Sequence, residues 1–193
     1  MNSESNIKVL LAARPSGYPT AEDFLVIESE IPTVKEGELL VKIDWLSLDP
    51  YMRGRMNDVK SYAPSVEIGD VMVGGAVGTI IESRSPLFYA GEIVEGNFGW
   101  QSYALSRGVG LRKINPELGP IQSSLGVLGM PGLTAYFGLL DVCQPIAGDT
   151  VVVSAASGAV GQIAGQIAKI MGCRVIGTAG TKEKVQFIVD ELR

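Results

Sequence analysis

The stretch Ala156-Ser157-Gly158-Ala159-Val160-Gly161 follows the apolar run Val151-Val152-Val153. The spacing Ala156-x-Gly158-x-x-Gly161 is that of a phosphate-cradling dinucleotide turn, with alanine at the first small position. Each small residue has its own task. Position 156 has to allow a sharp turn. Gly158 lets the backbone approach a pyrophosphate, and Gly161 lets a helix pack close to the strand. A helix starting here presents unpaired N–H groups and a positive dipole end to phosphates. Ser157, Gly158, Ala159, Val160 and Gly161 are therefore candidate cofactor-binding residues.

The choice between dinucleotides falls to the end of the next strand. A site for NAD places Asp or Glu about 20 residues after the glycines, on the ribose 2′-hydroxyl. Here that place holds Gly177-Thr178-Ala179-Gly180, and the first carboxylate is Glu183. Thr178 joins the candidate cofactor-binding residues. Lys182 and Lys184 follow, either as solvated helix charges or as cations neutralising a 2′-phosphate. The missing acid favours the second alternative, and NADP(H) as the cofactor.

Other chemistries are argued against by composition. The chain has no histidine and only two cysteines, Cys143 and Cys173. A Ser–His or Cys–His nucleophile is excluded, and no catalytic zinc site or other metal site is expected. Two separated cysteines make no disulfide framework and read as reduced thiols of a cytoplasmic protein. The net charge of −5 offers no basic surface for nucleic acid. Met1 to Asn6 is polar and carries no signal-like run. The longest apolar stretch, Leu125 to Leu140, is broken by glycines and Pro131 and is too short to span a membrane.

The elements that must position the turn can be read around it. Val151–Val153 suits a strand covered on both faces. After the turn, Val160, Ile163, Ala164, Ile167, Ala168 and Met171 recur at helical spacing, and Gly172 stops the helix. Arg174–Thr178 reads as a second strand, and Thr181 to about Leu192 as another helix. This is one βαβ unit. Before it, Pro131 opens an expected buried helix over 132–140. Short strands are expected over 7–11, 24–27, 39–48, 92–95, 103–105 and 111–114. A bent or bulged strand is expected over 71–81, where Gly74, Gly75 and Gly78 lie. Many short strands with Gly/Pro punctuation predict a partly open β-barrel.

With these residues in place, the chain resembles the medium-chain dehydrogenase/reductase superfamily. It is most similar to the zinc-independent, NADPH-dependent double-bond reductases, such as the prostaglandin and alkenal reductases and the bacterial curcumin-reductase-like enzymes. Four stretches carry the likeness: Leu46–Met56, with Asp49-Pro50-Tyr51-Met52-Arg53-Gly54-Arg55; Gly99–Leu105; Gly129–Leu139, with Met130-Pro131-Gly132-Leu133-Thr134; and the glycine turn through Cys173. The resemblance implies a GroES-like catalytic domain over 1–123. A linker helix and an incomplete Rossmann domain follow over 124–193. It also implies reduction of the C=C bond of α,β-unsaturated ketones and aldehydes. Tyr51 matches the family tyrosine that hydrogen-bonds or positions the substrate carbonyl. Met130 and Thr134 match positions lining the nicotinamide pocket, although plain packing accounts equally well for Met130. Lys184 matches the family's 2′-phosphate lysine. Trp100 reads as structural, and Arg53 and Arg55 as loop or interface contacts.

One departure from the family stands out. Only 43 residues remain from Val151 onward, too few for a doubly wound sheet. The expectation is therefore a fragment or truncated product that binds NADPH weakly and turns over poorly on its own. A quinone reductase shares the fold and cofactor and stays open as an alternative. So does a non-catalytic interaction module. The expected partner is a small enone or quinone substrate; the resemblance adds a homodimer as one option, since family members are often dimers, and leaves the oligomeric state open.

Overall fold

The computed structural model describes residues 5–192. The polar start, Met1 to Glu4, lies outside the described residues. Two compact units divide the chain, one running to Gln122 and the other starting at Ser123.

The first unit is built of antiparallel strands. β1 (Asn6–Leu11) and β2 (Phe24–Ser29) form a hairpin. β3 (Leu39–Leu46), β4 (Gly75–Ser83), β5 (Ile93–Asn97), β6 (Tyr103–Ser106) and β7 (Arg112–Ile114) form one sheet in the order β6-β3-β4-β5-β7. The hairpin is tied on through Val9, whose N–H donates to Trp100 O (2.9 Å) and whose carbonyl accepts from Met72 N (3.0 Å). The sheet does not close on itself, which fits the partly open barrel the strand count predicts. Leu39, Leu40 and Val41 are buried in succession because the start of β3 is covered on both faces. Leu39 and Val41 meet Ala76, Ile80 and Val94, whereas Leu40 meets Val34 and Tyr103. Each fully buried Leu or Val contributes about 1.5–3 kcal/mol.

The expected bent strand is shorter than the sequence suggests. Val71 makes only an isolated bridge to Leu10, and the ladder begins at Gly75. Its irregularity is real: Ile81 of β4 and Asp44 of β3 are skipped in the pairing as bulges. Gly78 allows this close approach, because a Cβ there would overlap the Lys42 carbonyl oxygen.

Asn6 is fully buried and extends the ladder with its side chain. Its Nδ2 donates to Tyr103 O and its Oδ1 accepts from Tyr103 N, both at 2.9 Å. A short helix, α1 (Tyr51–Arg55), was not legible beforehand, since five residues show no periodicity. Pro50 sets the φ of its first turn (−57°). Met52 and Met56 anchor it among Leu11, Val66 and Met72.

The second unit holds α2 (Met130–Phe137), a π-helical turn (Gly138–Cys143), β8 (Thr150–Val153), α3 (Ala159–Ile170), β9 (Arg174–Gly177) and α4 (Lys182–Glu191). β8 and β9 pair in parallel around α3, the expected βαβ unit. Gly172 ends α3 with φ +83°. Two expectations need correction. α2 is buried on one side only: Pro131, Gly132 and Ala135 are covered, whereas Leu133, Tyr136 and Phe137 are exposed. β8 likewise covers one face. Val151 packs with Leu139, Ala168 and Cys173, while Val152 on the opposite face is 66% exposed. A strand's successive side chains point to opposite faces, so one packed helix layer can cover only alternate residues.

Candidate functional site

The glycine turn is wrapped around the carbonyl of Ala155. Gly158 N–H donates to it at 2.8 Å. A Cβ at Gly158 would lie 3.1 Å from that oxygen, and one at Gly161 would overlap it. Gly161 is buried, and its missing side chain lets α3 seat on the turn. Gly158 caps α3 without a side-chain bond, and Gln162 N–H is the first to reach a helical carbonyl, that of Gly158 (3.0 Å). The N–H groups of Ala159, Val160 and Gly161 therefore precede the ladder, at the positive end of the helix. This is a backbone surface suited to phosphate oxygens.

The sharp bend is not where the spacing put it. Ala155 takes the left-handed conformation (φ +48°), not Ala156. Ala156 is buried and still in the sheet ladder, its N–H donating to Thr178 O at 2.9 Å. Thr178 N–H returns a bond to Val153 O (2.9 Å), so Thr178 is locked beside the turn. Its neighbour Gly177 has to be glycine, because a Cβ there would come within 2.8 Å of the Ala156 methyl.

Several of the candidates converge. Thr134 of α2, Gly158, Val160 and Gly161 line one open cavity of about 420 Å³, with Cys143 on its wall. Ser157 sits in the turn, half-buried, and Ala159 opens α3. Thr134 Oγ1 donates to Met130 O (2.7 Å), closing its own helical turn. Met130 is half exposed at the start of α2 and does not line that cavity. Lys184 stands in the first turn of α4, its N–H bonded to the capping Thr181 Oγ1 (3.3 Å). Lys182, rather than Lys184, borders the shallow depression at the start of α4.

Tyr51 belongs to the first unit. Burial, and then the Asp49 carboxylate, push its phenol above the ordinary value of 10.0. A backbone hydrogen bond from Gly75 and the charge of Arg55 partly offset this. The phenol therefore stays protonated and is a hydrogen-bond donor at neutral pH. Tyr62 lies near enough to act on it electrostatically. Nothing in the spacing flagged Tyr62, because it reaches Tyr51 from a separate loop.

The arginines hold that loop region in place. Arg53 Nε and Nη2 donate to Gly17 O and Pro15 O, both at 2.9 Å, and Arg14 Nη1 donates to Met56 O at 2.9 Å. Arg55 Nε donates to Pro64 O. Trp100 stacks on Phe24, with centroids 5.4 Å apart, and its buried indole N–H finds no partner among the described residues. That is a structural placement.

Residues 8–114 match the family described as the N-terminal domain of oxidoreductase. The chain belongs to this family, the medium-chain dehydrogenase/reductases.

This dehydrogenase/reductase chain is 49% identical to the NADPH-dependent curcumin reductase of Escherichia coli, over 98% of its own length and 55% of that protein's. It is 47% identical to prostaglandin reductase 1 of Bos taurus, over 89% of its length and 51% of that protein's. The crystal structure of CurA from Vibrio vulnificus in complex with NADPH superposes with a TM-score of 0.91 at 52% identity, covering 96% of this chain and 55% of that one. The chain spans about half the length of the curated relatives it matches. The medium-chain fold is thus present as a GroES-like unit followed by a partial Rossmann unit.

Proposed function

We propose that this chain forms the N-terminal part of an NADPH-dependent reductase that acts on the C=C bond of α,β-unsaturated ketones and aldehydes. The observation that carries the reading is the glycine turn. Its backbone fits a pyrophosphate, and no carboxylate follows it at the ribose position. The relatives' names, an NADPH-dependent curcumin reductase and a prostaglandin reductase, support the same cofactor and reaction class.

In this reading the backbone N–H groups of Ala159, Val160 and Gly161 would hold the pyrophosphate, with Ser157 and Gly158 shaping the turn. Thr178 would border the adenosine ribose, and Lys184 would neutralise the 2′-phosphate as a point charge. Thr134, which lines the cavity beside the turn, would face the nicotinamide, with Met130 one helical turn before it on α2. The bound dinucleotide supplies the hydride. The protein's own contribution to the chemistry is Tyr51. Its phenol, protonated at neutral pH, would donate a hydrogen bond to the substrate carbonyl oxygen, where negative charge accumulates.

Titrating NADPH and NADH against wild type and Lys184→Ala tests the reading. NADPH binds more tightly than NADH in the wild type, and the variant loses about tenfold in NADPH affinity alone. Equal binding of both dinucleotides, unchanged in the variant, would overturn it.

A further inference from the structure

A second cavity of the C-terminal unit, about 370 Å³, lies between α3 and α4 and reaches Gly177 at the end of β9. Its two walls differ in kind. α4 turns Val185, Ile188 and Val189 into it, three residues on one helical face. α3 answers with Gln162, Gly165, Gln166 and Lys169. Glycine, two amides and an ammonium offer no apolar ridge to interlock with valine and isoleucine. A Cβ at Gly165 would find only Val175 Cγ1, at 3.7 Å. The gap is therefore written into the two helix faces, and α4 buries none of its residues.

The charge at this gap is one-sided. Lys169 is the sole ionisable side chain among the described lining residues, and no carboxylate faces it there. An apolar wall opposite a few polar groups, at this volume, is the usual form of a small-ligand pocket. We propose that the α3–α4 cavity binds a small monocarboxylate with an unbranched apolar tail. The tail lies on Val185, Ile188 and Val189, and the carboxylate meets the Lys169 ammonium. The cavity touches the glycine turn at Ala156 and Gly161, but its ammonium lies further along α3 and its apolar wall on α4, and the proposal does not depend on the cofactor reading.

Backbone-amide NMR of the 193-residue chain, titrated with hexanoate, octanoate and decanoate and without any dinucleotide, tests it. Saturable shifts are expected at Gly165, Lys169, Val175 and Val189. Affinity should rise about two- to fourfold per added methylene. Lys169→Gln should weaken octanoate about tenfold and leave 1-octanol unchanged. Gly165→Leu, filling the cavity from α3, should abolish both, and Val189→Phe should do the same from α4 should the first variant unfold. Absence of saturation, or shifts spread equally over the strands of the first unit, would overturn the site. Equal affinity for octanoate and octanol in the wild type would overturn the carboxylate assignment.

Discussion

Tyr51 combines a donor's chemistry with a half-buried setting. Its pKa lies above 10.0 because burial and Asp49 both disfavour the phenolate. A raised pKa makes a contribution that is complete below the ordinary value and is lost as pH rises through the raised one. Under the proposed function, reduction should therefore show no loss attributable to Tyr51 across neutral pH, and a fall only above the ordinary tyrosine range. Tyr51→Phe should lower kcat roughly 10²- to 10³-fold, the cost of one oxyanion donor. Steady-state kinetics against pH checks both, and a variant as active as the wild type would remove Tyr51 from the chemistry. Ala155 and Ala156 give a paired prediction. Ala155 carries the left-handed bend, which costs an L-residue about 1–2 kcal/mol. Ala155→Gly should stabilise by about 1 kcal/mol in urea unfolding. Ala156→Gly should destabilise by about as much, because it deletes a buried methyl packed beside Gly177.

Among the elements, β1 is held by backbone bonds through Ile7, Val9 and Leu11 and by one buried side chain, Asn6. Asn6 satisfies both backbone groups of Tyr103 from a fully buried position. Asn6→Ala should cost about 2–4 kcal/mol, since it strands a buried N–H and a buried carbonyl together. Asn6→Asp keeps the acceptor but loses the donor to Tyr103 O, and should also destabilise. Denaturant midpoints of the two variants measure this. The helix α2 shows why its burial was overestimated from the sequence. Its residues are apolar nearly all round, and composition of that kind reads as a core helix. Only Pro131, Gly132 and Ala135 are in fact covered, because α3 packs along one side.

For the whole molecule, the two units should differ in local stability. Among the described residues, the first buries three clusters built around Leu39, Leu11 and Val34. The second buries one, around Leu139 and Ala168, and its α4 buries nothing. Amide hydrogen exchange tracks such differences. Amides of β8, β9 and α4 should exchange well ahead of those in β3, β4 and β5. Uniform protection across both units would contradict the prediction.

The sequence by itself determined the βαβ unit, most strands of the first unit, and the glycine turn. Period-2 and period-3.6 apolar patterns, glycines and prolines are local signals, and they survive without tertiary context. It also determined that the dinucleotide place carries no acid, which is a matter of residue type alone. What tertiary structure decided was everything that depends on a partner distant in the chain. The bend fell on Ala155 because Ala156 was held in register by Thr178. Tyr51 is held in its neutral form because partial burial beside the methionine cluster and the Asp49 carboxylate both disfavour its phenolate. Val152 was left uncovered because helix packing reaches only one face of β8. Backbone conformation at a turn, the titration of a phenol and the burial of a strand face all depend on neighbours that folding supplies.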